Sequence, residues 1–254
     1  MNRPFAQASL RILTVNTHKG FAQFNRRFML HELREAVRHV AADIVFLQEV
    51  QGTHNGHSAS VADWPQAPHY EFLADQIWPQ FAYGKNAAYP QGHHGNAILS
   101  KHPILRHSNH DISIEGKESR GLLHCELDVA GAAEPVHAIC VHLGLRQWQR
   151  QRQLRLLCNV IAQKVPTSAA LIVAGDFNDW NSRAHRVVHE CQGLLEVFEQ
   201  AHGRAAKTFP ARFPLFPLDR IYVRNFSAQA PLTLPSVPWS SLSDHAPLAA
   251  EVHL

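Results

Sequence analysis

Ala169–Asn178 reads AALIVAGDFN, and its two halves differ in character. Ala169–Ala174 is an unbroken run of small and aliphatic residues, the pattern of a short strand covered on both faces. The run stops at Gly175-Asp176-Phe177-Asn178, where a glycine permits a tight turn and two polar side chains follow at once. The same sequence grammar recurs along the chain. Leu10–Val15 (LRILTV) is a strand candidate that runs into Asn16, inside VNTHKG. Asp43–Gln48 (DIVFLQ) runs into Glu49, and Val136–Val141 (VHAICV) runs into His142, inside VHLGL. His94–Ser100 (HGNAILS) and Gly121–Val129 (GLLHCELDV) are further strands, Asp219–Val223 opens on Asp219, and Ser243-Asp244-His245 precedes a last strand over Pro247–Val252. Between them lie two helices. Arg27–Ala41 places Leu30, Leu33, Val37 and Val40 three and four residues apart, and Gln147–Lys164 carries a stripe of Trp148, Leu154, Leu157, Ile161 and Val165. Six of the 15 prolines fall between Pro210 and Pro238, which reads as irregular loop with one strand embedded in it. Strands alternating with helices make an α/β protein. With no linker and no repeat, 1–254 is expected to be one domain.

The polar residues at these strand ends carry the functional argument, because α/β sheets place their chemistry in loops at strand ends. Each alone reads as a turn former. Together, Asn16, Glu49, His142, Asp176, Asn178, Asp219, Asp244 and His245 suggest convergence on one side of the fold. Glu49 follows a strongly apolar strand, where a carboxylate is costly unless paired with a cation or a metal. Carboxylate and amide oxygens suit a hard cation, Mg²⁺ with Mn²⁺ as a substitute, that keeps waters for a phosphate substrate. There is no HExxH pattern and no Cys/His cluster for zinc. The remaining Asp and His residues suit in-line attack of water on a phosphoester, which needs a group to orient the water, cationic stabilisation of the phosphoryl oxygens and help for the leaving oxygen.

Composition sets the limits. The chain has 254 residues, 24 Lys+Arg against 21 Asp+Glu, 19 His and a formal charge of +3, with 45% hydrophobic and 18% charged residues. The apolar content argues against disorder, and the small basic excess against a broad DNA-coating role. No run approaches the ~18 apolar residues of a membrane span, and MNRPFAQASLRILTVNTHKG lacks the apolar stretch of a secretory signal. Cys125, Cys140, Cys158 and Cys191 form no CxxC and sit mostly among apolar neighbours, so they are expected as reduced, buried thiols. The expectation is a cytoplasmic protein without stable membrane insertion or an obligate protein partner, with peripheral association at a membrane left open.

TVNTHKG, FLQEV, SRGLL, VHLGL, GDFN, LDRIYV and SDHAP, in this order from about residue 10 to the C-terminus, closely resemble the endonuclease/exonuclease/phosphatase superfamily, which includes DNase I, abasic-site endonucleases, inositol polyphosphate 5-phosphatases and neutral sphingomyelinases. NTHKGF, FNRRF, HHGNAILS, VHLGLR and GDFNDW look most like its bacterial YbhP-type branch. The resemblance implies a four-layer α/β sandwich, two packed mixed sheets flanked by helices. It implies that Glu49 and Asn16 bind the metal, with Asp244 close to it through water. It makes His245 the general base or a phosphate contact, Asp219 the carboxylate that orients it, and Asp176 and Asn178 the pair that positions water and phosphoryl oxygens. It gives His142 the phosphate or the leaving group, as in DNase I and sphingomyelinase-like members; abasic-site enzymes carry a tyrosine there, which argues against that specialisation. Arg120 in SRGLL resembles a phosphate-side arginine, and His18, two residues after Asn16, is placed near the substrate.

The substrate is less legible. Nucleic acid ranks first, a phospholipid or sphingomyelin-type headgroup second, an inositol phosphate third, and a non-catalytic binding protein is the rival from another class. Arg26-Arg27 and the group Arg146, Arg150, Arg152 and Arg155 follow presumed site loops, with Arg146 and Arg150 spaced to share a helix face. Phe21, Phe24, Phe213–Pro217 and Val237-Pro238-Trp239 are aromatic or apolar loop residues able to meet lipid or stack on bases. His54, His57, His93 and His94 read as polar surface rather than a second metal site.

Overall fold

Strands with unbroken apolar runs need cover on both faces, and this fold supplies it by stacking two sheets and flanking them with helices. A computed structural model of the chain describes residues 8–254, apart from residues 26, 117 and 181–183 and the side chains of residues 25, 59 and 191. Its strands in chain order are β1 (Ser9–Asn16), β2 (Ile44–His54), β3 (Gln80–Tyr89), β4 (Gly92–Ser100), β5 (Ile104–Asp111), β6 (Gly121–Leu127), β7 (Val136–His142), β8 (Leu171–Asp176), β9 (Leu195–Glu196), β10 (Asp219–Arg224), β11 (Ala228–Leu232) and β12 (Leu248–His253). One sheet has the order β11-β12-β1-β2-β4-β3 and the other β5-β6-β7-β8-β10-β9. Each contains one parallel pair, β1 with β2 and β7 with β8, among antiparallel neighbours. The helices are α1 (Leu30–Val40), α2 (Asn55–Ser60), α3 (His69–Ala74), α4 (Gln147–Lys164), α5 (Ala184–Gln192), α6 (Val197–His202) and α7 (Ser236–Leu242). The architecture is the four-layer α/β sandwich.

The period-2 alternation of side chains along a strand explains the apolar runs. Ile12, Ile44, Phe46, Ala138, Cys140, Ile172 and Ala174 point between the sheets. Their neighbours face outward: Leu13, Val45 and Leu47 pack with Leu30, Leu33 and Val37 of α1, while Ile139, Leu171 and Val173 pack with Leu154, Leu157 and Ile161 of α4. β1 packs against β8 and β2 against β7 across the interior. Asn16 pairs in register with Gln48, His142 with Asp176, and Asp176 with Asp219. The carboxyl ends of both parallel pairs therefore meet at one end of the sandwich.

Several expectations are corrected. The first helix starts at Leu30, because Phe28 bridges to Phe21 and Met29 donates its N–H to Gly20, and it stops where Ala41 turns left-handed. Trp148 lies 48% exposed, off the α4 stripe: six residues before Leu154 is about 600° of helical rotation, or 120° away. The proline-rich stretch holds two strands and a helix, with Pro231 tolerated in β11 because that strand is an edge. β2 does not end at Glu49. It continues to His54, with a bulge between Leu47 and Val50 at which Glu49 takes φ +56°. Cys125 and Cys140 are buried free thiols, but Cys158 on α4 is disulfide-bonded, which overturns the expectation of four reduced cysteines. The expectation for Cys191 concerns a side chain outside the described residues.

Gly175 is needed where it stands. It has φ +144°, and a Cβ there would lie 2.0 Å from the Val141 carbonyl oxygen of the neighbouring parallel strand. Gly175→Ala is expected to destabilise the fold by about 1–3 kcal/mol, read as a lower urea midpoint at unchanged slope. An unchanged midpoint would show that β7 and β8 can separate freely.

Candidate active site

The carboxylate of Asp176, at the end of β8, is the centre of the cluster. It is 1% exposed. Its Oδ1 accepts the Asn178 backbone N–H at 2.8 Å, and its Oδ2 accepts Asn16 Nδ2 at 3.1 Å and Asn178 Nδ2 at 3.4 Å. His142 Nε2 stands 3.5 Å from the same Oδ2, and His245 Nε2 3.9 Å. Asn178 also donates to the Leu143 carbonyl at 2.9 Å, which ties the GDFN turn to the loop after His142.

His245 is oriented from behind. Its Nδ1 lies 2.8 Å from Asp219 Oδ2, so that nitrogen carries the proton and Nε2 faces Asp176. Asp219 is fixed in turn, since its N–H donates to Thr208 Oγ1 at 3.2 Å. Ser243 donates its hydroxyl to the Asn16 carbonyl at 2.7 Å, joining the SDHAP segment to the end of β1. Glu49 and Asp244 lie on the open side and remain partly accessible. Glu49 is 4.0 Å from His142 Nε2 and 3.9 Å from Lys19 Nζ, while Asp244 is 3.9 Å from His18 Nδ1. Arg120 is half-buried, and its Nε donates to the Leu143 carbonyl at 3.2 Å. Asn16, Glu49, His142, Asp176, Asn178, Asp219, Asp244 and His245 thus share one place, with His18 and Arg120 at its margin. His18, Lys19, Glu49 and Asn178 all have left-handed φ values, between +44° and +56°. Such conformations cost about 1–3 kcal/mol each and persist only where surrounding structure enforces them.

Comparison with known proteins identifies the family. The profile of the endonuclease/exonuclease/phosphatase family matches residues 13–245. The chain belongs to that family. It is 54% identical over 248 residues to the "Uncharacterized protein YbhP" of Escherichia coli strain K12, with 98% of each chain covered. A family protein of Beutenbergia cavernae has a similar structure, with a TM-score of 0.75 at 20% identity, covering 97% of this chain and 72% of that one. Truncated Caenorhabditis elegans TDP2 is similar at a TM-score of 0.67 and 19% identity, covering 97% and 98%. At these identities the structural matches speak to the fold. The family is one of hydrolases acting on phosphoester bonds.

Within this family member, several site residues carry no obvious signal in the sequence. Lys19 approaches Glu49 only because the backbone turns left-handed there. Ser243 looks like a turn residue until its hydroxyl is traced to Asn16. Phe209 lies on His245 with ring centroids 5.0 Å apart, and Trp180 and Phe216 extend that wall. The aromatic residues of GDFNDW and FPLFP were the available hint. The basic groups are rearranged. Arg150 is buried and caps the Gly144 and Leu145 carbonyls, so it shares no exposed face with Arg146. Arg27 pairs with Glu32 at 2.8 Å, and Arg26 lies outside the described residues. His54 and His57 stack on each other at 3.7 Å, and His93 hydrogen-bonds Tyr83, so these half-buried rings serve packing.

The two site histidines are driven apart electrically. Burial, with the cationic surroundings of Arg120 and His245, holds His142 well below the usual imidazole range and therefore neutral. Burial also opposes a charge on His245, but Asp219, Asp176 and Asp244 outweigh it and raise its pKa from 6.5 to about 10. Asp176 is pushed up to about 7, first by burial and then by Asp219 and Glu49 against the opposing pull of His245. Four carboxylates crowd this end of the sandwich, and a divalent cation would relieve that excess. Asp176, Asp219 and His245 offer ligand atoms within 4.8 Å of one another, but Asp219 and His245 are already bound to each other. The accessible oxygens of Glu49 and Asp244, with the Asn16 amide, form the better donor set for a hard cation. In EDTA, ¹H–¹⁵N NMR is expected to show His245 still protonated above pH 8, titrating at lower pH in Asp219→Asn and on addition of Mg²⁺. An ordinary imidazole titration near 6.5 in EDTA would contradict the charge balance described.

Proposed function

We propose that this family member is a Mg²⁺-dependent phosphodiesterase, with Mn²⁺ as a substitute, that cleaves its substrate by in-line attack of water. The observation that carries the reading is the convergence of Asn16, His142, Asn178 and His245 on the single buried carboxylate of Asp176. Asn16, Glu49 and Asp244 would hold the metal, which supplies charge to the phosphoryl oxygens when bound. Asp176 orients the attacking water and takes its proton, with Asn178 fixing the carboxylate from the backbone side. His245 Nε2 donates to a phosphoryl oxygen, because Asp219, Asp176 and Asp244 keep the ring doubly protonated while Asp219 fixes its orientation through Nδ1. His142 and Arg120 face the leaving-group side, and His18 lies beside Asp244 where a substrate oxygen would enter. This gives His245 the phosphate-contact role and leaves the base role to Asp176.

For the substrate, the surroundings favour a phospholipid headgroup over duplex nucleic acid. Two of the arginines that would have met phosphates are buried or paired. Phe24, Leu145, Trp148, Phe213, Leu215 and Phe216 are all exposed. Nucleic acid is the second reading, favoured by Arg146, Arg152 and Arg155, which stay exposed along α4. Among the described residues no helix is long and apolar enough to cross a membrane, so attachment would be peripheral. A cytoplasmic home would have to accommodate the Cys158 disulfide, which reducing compartments disfavour.

Hydrolysis of bis(p-nitrophenyl) phosphate is expected with Mg²⁺, to vanish in EDTA, and to fall about 10²–10⁴-fold in Glu49→Ala and His245→Ala. Wild-type rates no better than those of both variants would return the chain to the binding-protein class. In a panel of phosphatidylcholine, sphingomyelin, cardiolipin, plasmid DNA, RNA and inositol phosphates, turnover of a lipid is expected. Plasmid nicking abolished by Asp176→Asn, with every lipid untouched, would decide for nucleic acid.

A further inference from the structure

Between Phe209 and Phe216, which bridge to each other, the chain makes a short projecting loop, Pro210-Ala211-Arg212-Phe213-Pro214-Leu215. Phe213 is 71% exposed at its tip and Leu215 46%. Val237, on the neighbouring α7, is 75% exposed. Behind the tip lies a cavity of about 590 Å³ whose apolar floor includes Pro214, Leu234 and Trp239 and whose cationic members are Arg204, Lys207 and Arg212. No Asp or Glu lines it, and none of the three cations forms an ion pair among the described residues. The whole chain is only +3, so this is a local concentration of positive charge beside exposed apolar side chains.

The loop is tied to the catalytic end. Ala211 donates its N–H to the Asp244 carbonyl at 2.7 Å, and Ala246 to the Thr208 carbonyl at 2.8 Å. Phe209 lies on His245, and Phe216 packs on Trp180. The loop and the site are therefore held together by short backbone and ring contacts.

From this juxtaposition we infer that the 210–215 loop and the edge of α7 dock the protein onto an anionic lipid surface, with Phe213, Leu215 and Val237 entering the interface and Arg204, Lys207 and Arg212 meeting lipid phosphates. Apolar tips flanked by cations gain from both burial and charge at such a surface. A polyanion in water would satisfy the cations, and its bases could stack on Phe213, but it would leave Leu215 and Val237 without a partner, since neither offers a ring to stack. The inference rests on the phospholipid reading of the substrate, but its test reads binding rather than turnover.

The test is cosedimentation with sucrose-loaded vesicles of phosphatidylcholine, with and without phosphatidylglycerol. The full chain is expected to sediment with the anionic vesicles, to do so poorly with phosphatidylcholine alone, and to be released by high salt. Phe213→Ser/Leu215→Ser and, separately, Arg204→Gln/Lys207→Gln/Arg212→Gln are each expected to weaken binding about tenfold or more. All these positions are exposed, so folding and bis(p-nitrophenyl) phosphate hydrolysis should be retained. No binding to anionic vesicles, or binding unaffected by both variants, overturns the inference. So does light scattering that shows a dimer dissolved by the apolar double variant, or single-stranded DNA binding lost in the cation variant without any vesicle binding. Vesicle binding without hydrolysis would defeat the catalytic reading and spare this one; hydrolysis of the soluble diester without vesicle binding would do the reverse.

Discussion

A carboxylate removed from water is stable only if something replaces its hydration, and at Asp176 that requirement organises one end of the protein. Its replacements come from separate parts of the chain: an amide at the end of β1, a backbone N–H and an amide from its own turn, an imidazole at the end of β7 and another from the segment before β12. Asn178 and His142 reach it within one sheet, but Asn16 and His245 come from the other sheet and arrive only when the two sheets are stacked. The electrostatic demand of one side chain and the packing of the sandwich interior are therefore satisfied by the same arrangement. It also separates the two histidines into a neutral one and a charged one with no change in residue type.

Backbone geometry supports that centre at a cost. Glu49 reaches the open side only through a bulge, and Asn178, His18 and Lys19 hold left-handed conformations around it. Bulges and strained residues near reactive groups re-aim side chains that a regular strand would point into the core. The first two turns of α4 add a brace. Gln153 accepts the Gly144 N–H and donates to the Ile112 carbonyl, while Arg150 satisfies the Gly144 and Leu145 carbonyls. Polar helix residues spent in this way are lost to substrate.

What could be read from the sequence follows from this physics. Strands buried on both faces announce themselves, so β1, β7, β8 and β12 were legible, as was α4 to its ends. The polar residues that terminate those strands were legible too, because polarity after an apolar run is conspicuous. β5 was not, since its side chains are almost all solvent-facing and polar, and β11 was hidden by its proline. The fates of Trp148 and Arg150 depended on a helical phase set by tertiary packing. The contributions of Ser243, Lys19 and Phe209 depend on neighbours far away in sequence. The Cys158 disulfide belongs to the same class, because its spacing from the other cysteines forms no recognisable pair.

The sheet margins have a consequence for how this molecule keeps company. Of the four outer strands, β11 carries Pro231, β9 is two residues long, and β3 and β5 lie against each other across the sandwich. The proline of β11 and the shortness of β9 blunt the open hydrogen-bonding edge along which strands of separate molecules add to one another. Strand addition is thereby disfavoured at those two margins. Adhesion is left to side chains on loops, where contacts form and release without unfolding.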